Sequence, residues 1–430
     1  MKNSELAIFG GTKSISKPFK RYSPIGKEEM EAAIKVLKTG NLSPFLGEWE
    51  IDTEFGGFYG GEKVQEFERL TESEFNVKHA VTVNSATSGL IVAIGAAGIS
   101  PGDEVIVSPW TKCASATAIL VWNAIPVFAD IEDETFNLDP VSIRKNITNY
   151  TKAIVVPDIF GHPALLDEIL EIASEYNLVV IEDCSQSPKA RYKGKFAGTV
   201  GHIGVLSLNY HKHIHTGEGG ICLTDDSSLA ERMQLIRNHG EAVVEKKGVQ
   251  DLTNMIGFNF RLGEIEASIG IEQFKKMDGL ISDRIAKANK LREGLANLKG
   301  LRLPIVKDQC THVYYVFPIL VDEEKLGCSR DMVFNALVSE GVPIGNGYAN
   351  LHLLPMYQNK IAYGGKGFPW VSEIYKGKVK YDKGICPVAE ELTEKRYMGI
   401  GMCSYEYSNK EIDSIIFAFK KVWSNLGSLR

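Results

Sequence analysis

Between His79 and Glu182, short runs of Val, Ile and Ala alternate with stretches of helical apolar spacing, and this alternation leaves few folds open to the chain. Residues 80–83, 104–107, 126–128, 153–156 and 179–181 read as strands, with helices over 90–97, 114–122 and 165–176 between them. Unbroken Val/Ile runs mark strands buried on both faces, so the pattern predicts a mostly parallel sheet covered by helices. Ligands in such sheets sit beyond the carboxyl ends of the strands. The expected fold class is α/β: a large domain with a mostly parallel, mixed sheet over 1–285, then a smaller α+β C-terminal domain over 286–430. A long helix over 265–295 leads into the second unit, which is read from a strand over 313–321 and helices over 330–339 and 415–423. Residues 41–61, rich in Gly and aromatics, read as a long irregular loop, and loops of that length are often functional.

The stretch Ser207 to Gly220, SLNYHKHIHTGEGG, sets Lys212 just after one apolar run (203–208) and before another (221–223). An ammonium between two buried strands is costly unless it is paired or neutralised. Covalent bonding of the amine to a carbonyl removes that cost, and a desolvated lysine is a better nucleophile. Taken alone, the stretch is equally read as a lysine at a strand end reaching for water. Two other features fall at strand ends with it. Asp183 ends the fifth strand, and Asn84-Ser85-Ala86-Thr87-Ser88-Gly89 joins a strand to a helix, where N–H groups can hold a phosphate or simply be capped.

The 430 residues are 44% hydrophobic and 24% charged, an ordinary globular composition. The formal net charge is -6 without any basic block, which argues against nucleic acid as a partner. Seven scattered cysteines form no CxxC pair, so neither a disulfide framework nor a zinc site is expected, and a reducing, cytoplasmic location fits. No stretch is long and apolar enough to predict a signal peptide or a membrane span. Gly10-Gly11-Thr12-Lys13-Ser14 lacks the upstream glycine of a P-loop.

Several motifs stand in a fixed order: 84–90 (NSATSGL), 101–106 (PGDEVI), 126–130 (PVFAD), 181–186 (IEDCSQ), Ser207 five residues before Lys212, 217–220 (GEGG), 237–240 (RNHG) and 257–261 (GFNFR). On these the chain resembles the DegT/DnrJ/StrS family of pyridoxal-phosphate-dependent sugar aminotransferases, of the aspartate aminotransferase fold (fold type I), over about residues 19–423. The resemblance implies the cofactor pyridoxal 5'-phosphate, with Lys212 bonded to it and then shuttling a proton. It implies that Asp183 faces the pyridine nitrogen, where a carboxylate keeps the ring a strong electron sink. Gln186 would approach the ring, and Ser85, Ala86, Thr87 and Ser207 would hold the phosphate. Asn259 would reach the phosphate of a neighbouring subunit, making the working unit a homodimer with shared active sites. His352 and His213 are expected near substrate. The implied partners are an amino donor, glutamate or glutamine, and a keto-sugar, nucleotide-linked, or a keto-cyclitol.

The chain departs from the family pattern in three places. An aromatic residue usually follows the Thr of the Pro-x-x-Thr stretch and lies against the ring; here that place falls to Lys112, so either Trp110 supplies the contact or this face is polar. The loop over 41–61 is longer than in relatives. His211, His213 and His215 alternate around Lys212, and packing around the cofactor is expected rather than metal binding. Two rival readings remain: a sugar dehydratase of the same family, in which a histidine replaces the lysine, and a non-catalytic cofactor-binding regulator or scaffold.

Overall fold

The computed structural model describes residues 5–48 and 57–429. In chain order, α1 (Lys27–Thr39) and α2 (Glu62–Phe75) precede β1 (His79–Val83), α3 (Ala86–Ala96), β2 (Glu104–Val107), α4 (Ala114–Val121), β3 (Ile125–Phe128), α5 (Pro140–Asn146), β4 (Thr151–Pro157), α6 (Leu166–Tyr176) and β5 (Val179–Asp183). A small hairpin, β6 (Arg191–Tyr192) and β7 (Lys195–Phe196), leads to β8 (Ile203–Ser207), β9 (Gly220–Thr224), α7 (Ser227–Arg237), α8 (Val244–Lys247) and α9 (Glu264–Leu295). The remainder comprises β10 (Leu301–Arg302), β11 (Val316–Val321), α10 (Glu323–Leu326), α11 (Arg330–Ser339), β12 (Ile344–Gly345), α12 (Pro355–Gln358), α13 (Pro387–Glu391), β13 (Tyr397–Gly401) and α14 (Asn409–Trp423).

The central sheet has seven strands in the order β1-β9-β8-β5-β4-β2-β3. Pairings among β3, β2, β4, β5 and β8 are parallel, and β9 runs antiparallel to both of its neighbours, β8 and β1. The expected mostly parallel, mixed sheet is therefore present. Two antiparallel steps restore the direction of β1 to that of β8, so β1, β8 and β5 all end on one edge. Register fixes this closely: Gly220 is opposite both Val83 and Ser207, and Asp183 is opposite Val205. The turn after β1, the end of β8 and the end of β5 therefore meet at one place.

Burial explains why these segments hold their form. β2, β3, β8 and β9 are buried at every residue. α3 is apolar nearly all round and is enclosed between the sheet and neighbouring helices. Gly89 permits that enclosure, since a Cβ there would stand 2.8 Å from Val205 Cγ1. A second sheet, β10-β11-β13-β12, is wholly antiparallel, and its core is shared with α11, α14 and the end of α9.

Three features cut across a division of the chain at residue 285. The 32-residue α9 is unbroken through that point; Ile271, Phe274 and Met277 join the large-domain side, and Ala288, Leu291 and Leu295 the small-domain core. Leu6 at the N-terminus is also buried in the small-domain core, where Glu340 accepts from Ala7 N and from Ser14 N and Oγ. In the opposite sense, Leu351, Tyr357, Trp370, Tyr375 and Tyr381 pack into the core of the large sheet. Tyr381 Oη donates to Pro126 O (2.7 Å) and Tyr375 Oη to Glu104 Oε1 (2.6 Å), which ties this segment to β3 and β2. Of the loop over 41–61, residues 49–56, including Trp49 and Phe55, lie outside the described residues.

Candidate active site

A cleft of about 590 Å³ opens at the strand-end edge where β1, β5 and β8 finish. Its first wall is the start of α3. Ser85 is the N-cap; its Oγ accepts from Ser88 N (3.0 Å), and Ser88 Oγ in turn donates to Asn84 Oδ1 (2.6 Å). The N–H groups of Ala86 and Thr87, at the open end of the helix, have no partner within it. Gly220 lies against this turn so closely that a Cβ would be 2.7 Å from Ala86 N. Ser207, the last residue of β8, presents its hydroxyl beside this helix start, within the same lining. Peptide N–H groups, a helix dipole and a serine hydroxyl form a cradle suited to phosphate.

Asp183 ends β5 nearly buried, 6% exposed. Ser115 Oγ donates to its Oδ2 at 2.7 Å, and Ser185 N donates to Oδ1 at 3.2 Å. Burial and the nearby Glu182 push Asp158 well above the usual carboxylate range, and burial raises Glu182 as well. Asp158 instead takes Ala164 N, and Glu182 takes the N–H groups of Gly198 and Val200. These two acids and Cys184 stand close together, and their hydrogen bonds tie loops to the sheet.

Lys212 lies in the loop between β8 and β9, where its N–H donates to Asn209 O at 3.0 Å. Only 8% exposed, it carries a pKa pushed down from 10.5 to about 8, chiefly by burial; Asp183 pulls the other way. Its Nζ is 4.7 Å from the centroid of the Tyr315 ring. Gln186 accepts from Phe160 N (2.8 Å) through Oε1, and its Nε2 donates to Tyr348 Oη (3.3 Å). Asn209 donates to Glu218 Oε1 (2.8 Å), while its own Oδ1 is buried without a partner. His211 also faces the cleft, its pKa pushed down to about 4 by burial and by Lys212 and Lys112.

The structure thus brings together Ser85, Ala86, Thr87, Asp183, Gln186, Ser207 and Lys212. It places four other expected residues elsewhere. Trp110 is fully buried: its Nε1 donates to Thr393 Oγ1 (2.9 Å) and its ring packs on Phe136 and Tyr397, so it leaves the cleft wall to Thr111 and Lys112. His352 is also fully buried, 2.9 Å from Glu390 Oε1, while its neighbours Leu351 and Leu354 line the cleft. His213 points backwards from Lys212, accepting from Arg284 Nη1 (2.6 Å) at Nδ1, with Nε2 3.3 Å from Gln186 O. Asn259 is exposed, with Arg261 Nε donating to its Oδ1 (2.7 Å), and does not line the cleft of its own chain. Sequence reasoning missed Ser115 and Tyr315. The first could have been sought as a hydroxyl one helical turn beyond Thr111, whose Oγ1 is 2.9 Å from Ser115 Oγ.

The donor set matches one cofactor: an amine for an aldehyde, a carboxylate for a ring nitrogen, a phosphate cradle, and aromatic walls between them. The fold and cleft define a fold type I pyridoxal-phosphate enzyme. Residues 53–395 match the model of the DegT/DnrJ/EryC1/StrS aminotransferase family, and the chain belongs to that family of sugar aminotransferases. It is 34% identical over 300 residues to GDP-perosamine synthase of Escherichia coli O157:H7, covering 70% of this chain and 80% of that one. It is 30% identical over 438 residues to L-glutamine:2-deoxy-scyllo-inosose aminotransferase of Streptoalloteichus tenebrarius, covering 99% of both. Among solved structures, an aminotransferase from Psychrobacter cryohalolentis superposes with a TM-score of 0.80 at 28% identity, covering 95% of this chain and all of that one. No helix among the described residues is long and apolar enough to cross a membrane.

Proposed function

We propose that this chain takes an amino group from glutamate or glutamine and delivers it to a ketone on a nucleotide-linked sugar or a cyclitol, in two half-reactions at one cleft. The observation that carries this reading is the buried amine of Lys212, its pKa lowered to about 8, in the cleft that also holds Asp183 and the open helix end. Bound there, pyridoxal phosphate supplies an electron sink for the carbon that loses or gains a proton. Lys212 Nζ takes that proton and returns it, a task favoured by a pKa near the working pH. Asp183, oriented by Ser115 Oγ, holds a proton on the ring nitrogen. Ser85, Ala86, Thr87 and Ser207 anchor the phosphate, and Gln186, braced by Phe160 N and Tyr348, fixes the ring's edge.

A second copy of the chain completes the site in this reading. Asn259 is exposed beside Asn84, whose Nδ2 donates to its carbonyl at 3.4 Å, and Met30, Ile34 and Leu37 form an exposed apolar stripe on α1 suited to a partner. Cys113, Cys184, Cys222, Cys310, Cys386 and Cys403 form no disulfide, which suits the cytoplasm. The acceptor class draws support from relatives of both kinds, one named for a perosamine and one for a scyllo-inosose.

The test uses the cofactor-loaded protein. Glutamate or glutamine should bleach the cofactor's visible absorbance, and a keto-cyclitol or nucleotide-linked keto-sugar should restore it with an aminated product. Release of a deoxy product instead would favour a dehydratase. Borohydride should fix the cofactor to Lys212, and Lys212→Ala should lose about 10²–10⁴-fold in rate. Labelling of Lys112 or unchanged turnover in the alanine variant refutes the reading.

A further inference from the structure

The cleft holds a second amine with no assigned task. Lys112 lies between β2 and α4 on a fixed segment: before it Trp110 is locked in the aromatic cluster and Thr111 is bonded to Ser115, and its own carbonyl accepts from Ser115 N (3.1 Å). The side chain of Lys112 is exposed, and among the described residues it has no hydrogen-bond or ion-pair partner. An exposed lysine on an outer surface needs no explanation, but this one lines the cleft, and its charge depresses the pKa of both Lys212 and His211. Like charges in one cleft repel, and a bound anion offsets that repulsion. Among the described residues lining the cleft, Lys112 and Lys212 are the two lysines, and there is no arginine. Lys212 is committed to the cofactor, and His211 is uncharged at neutral pH.

From this geometry we infer that Lys112 is the anion-binding residue for substrate, taking the carboxylate of the amino donor or the phosphate of a nucleotide-linked acceptor. The inference rests on the function proposed above and deepens it. Lys112 sets an ammonium in the wall of the cleft beside Thr111, and this gives that wall selectivity for an anionic group. A carboxylate on an ammonium forms a charge-assisted hydrogen bond, which is among the stronger polar contacts.

The experiment compares wild type, Lys112→Met and Lys112→Arg, all cofactor-loaded. Lys112 is exposed, so neither change threatens folding. Each half-reaction is followed separately by cofactor absorbance, and binding of two unreactive probes, glutarate and inorganic pyrophosphate, is measured by calorimetry. Lys112→Met should weaken one anion by about tenfold, and Lys112→Arg should stay within about threefold of wild type. A loss in the donor half-reaction with weaker glutarate binding identifies the carboxylate. A loss confined to a nucleotide-linked acceptor with weaker pyrophosphate binding identifies the phosphate. Wild-type behaviour of Lys112→Met in both half-reactions and with both probes overturns the inference, as does equal loss in the Met and Arg variants. If wild type performs neither half-reaction, the proposed function fails, and the calorimetry still decides whether Lys112 binds anions.

Discussion

Replacing Lys212 by methionine should stabilise the cofactor-free protein, and the gain should vanish at high pH. Methionine has a similar length and no charge, so it fills the same space without an ammonium. In the native chain burial moves the amine from 10.5 to about 8. At about 1.4 kcal/mol per pH unit, that is a cost to the folded state of about 3 kcal/mol while the amine is charged in the unfolded chain. The folded value is the lower one, so the native state binds fewer protons and stability rises with pH between about 8 and 10.5. Below pH 8 the methionine variant should therefore exceed wild type by 2–3 kcal/mol, allowing roughly 0.5–1 kcal/mol for the lost contact with Tyr315. By pH 10.5 the two should coincide. Urea unfolding of both apo-proteins, followed by tryptophan fluorescence at pH 7, 8.5 and 10, gives the difference directly, and other titrating groups largely cancel in it. A gap that stays constant with pH, or a methionine variant less stable at pH 7, refutes the picture of a desolvated amine.

Other residues of the site give further tests. Ser115→Ala removes the buried hydroxyl that orients Asp183 at 2.7 Å; cofactor affinity should fall by about tenfold, as equilibrium dialysis would show, and urea unfolding should show a cost of about 1–2 kcal/mol. Arg284→Met removes donors to Met402 O (3.0 Å) and to His213 Nδ1 (2.6 Å) and leaves that ring nitrogen buried without a partner behind Lys212. It should cost about 2–3 kcal/mol in urea unfolding. Trp110→Phe should leave the cofactor's absorbance unchanged, since the ring does not reach the cleft, and should cost about 1 kcal/mol for the lost bond to Thr393.

The sheet and the two residues at its edge were legible because their signals are local. Val/Ile runs bounded by turn residues give strands whatever surrounds them, and the expected 104–107 strand and 330–339 helix coincide with β2 and α11. Asp183 and Lys212 follow as strand-end residues of the same edge. What the chain did not reveal is the direction of side chains beside those ends. Trp110 and Lys112 are two residues apart, but the turn after β2 sends one into the aromatic core and the other into the cleft, a choice made by Phe136, Tyr397 and Thr393 from distant parts of the chain. His352 and His213 went astray for the same reason: each is captured by a remote partner, Glu390 and Arg284, that no spacing rule connects to it. α2 was hidden by the Gly-rich run before it, although Val64, Phe67 and Thr71 carry its buried face. The strand expected over 313–321 begins only at Val316 because Tyr314 takes φ 52°, which turns the chain so that Tyr315 faces Lys212. That residue shows why the boundary matters to the chemistry. Had the strand run on unbroken from 313, its alternation would have set the side chain of Tyr315 by the sheet's pleat, and the left-handed residue frees it to close the cleft over the amine.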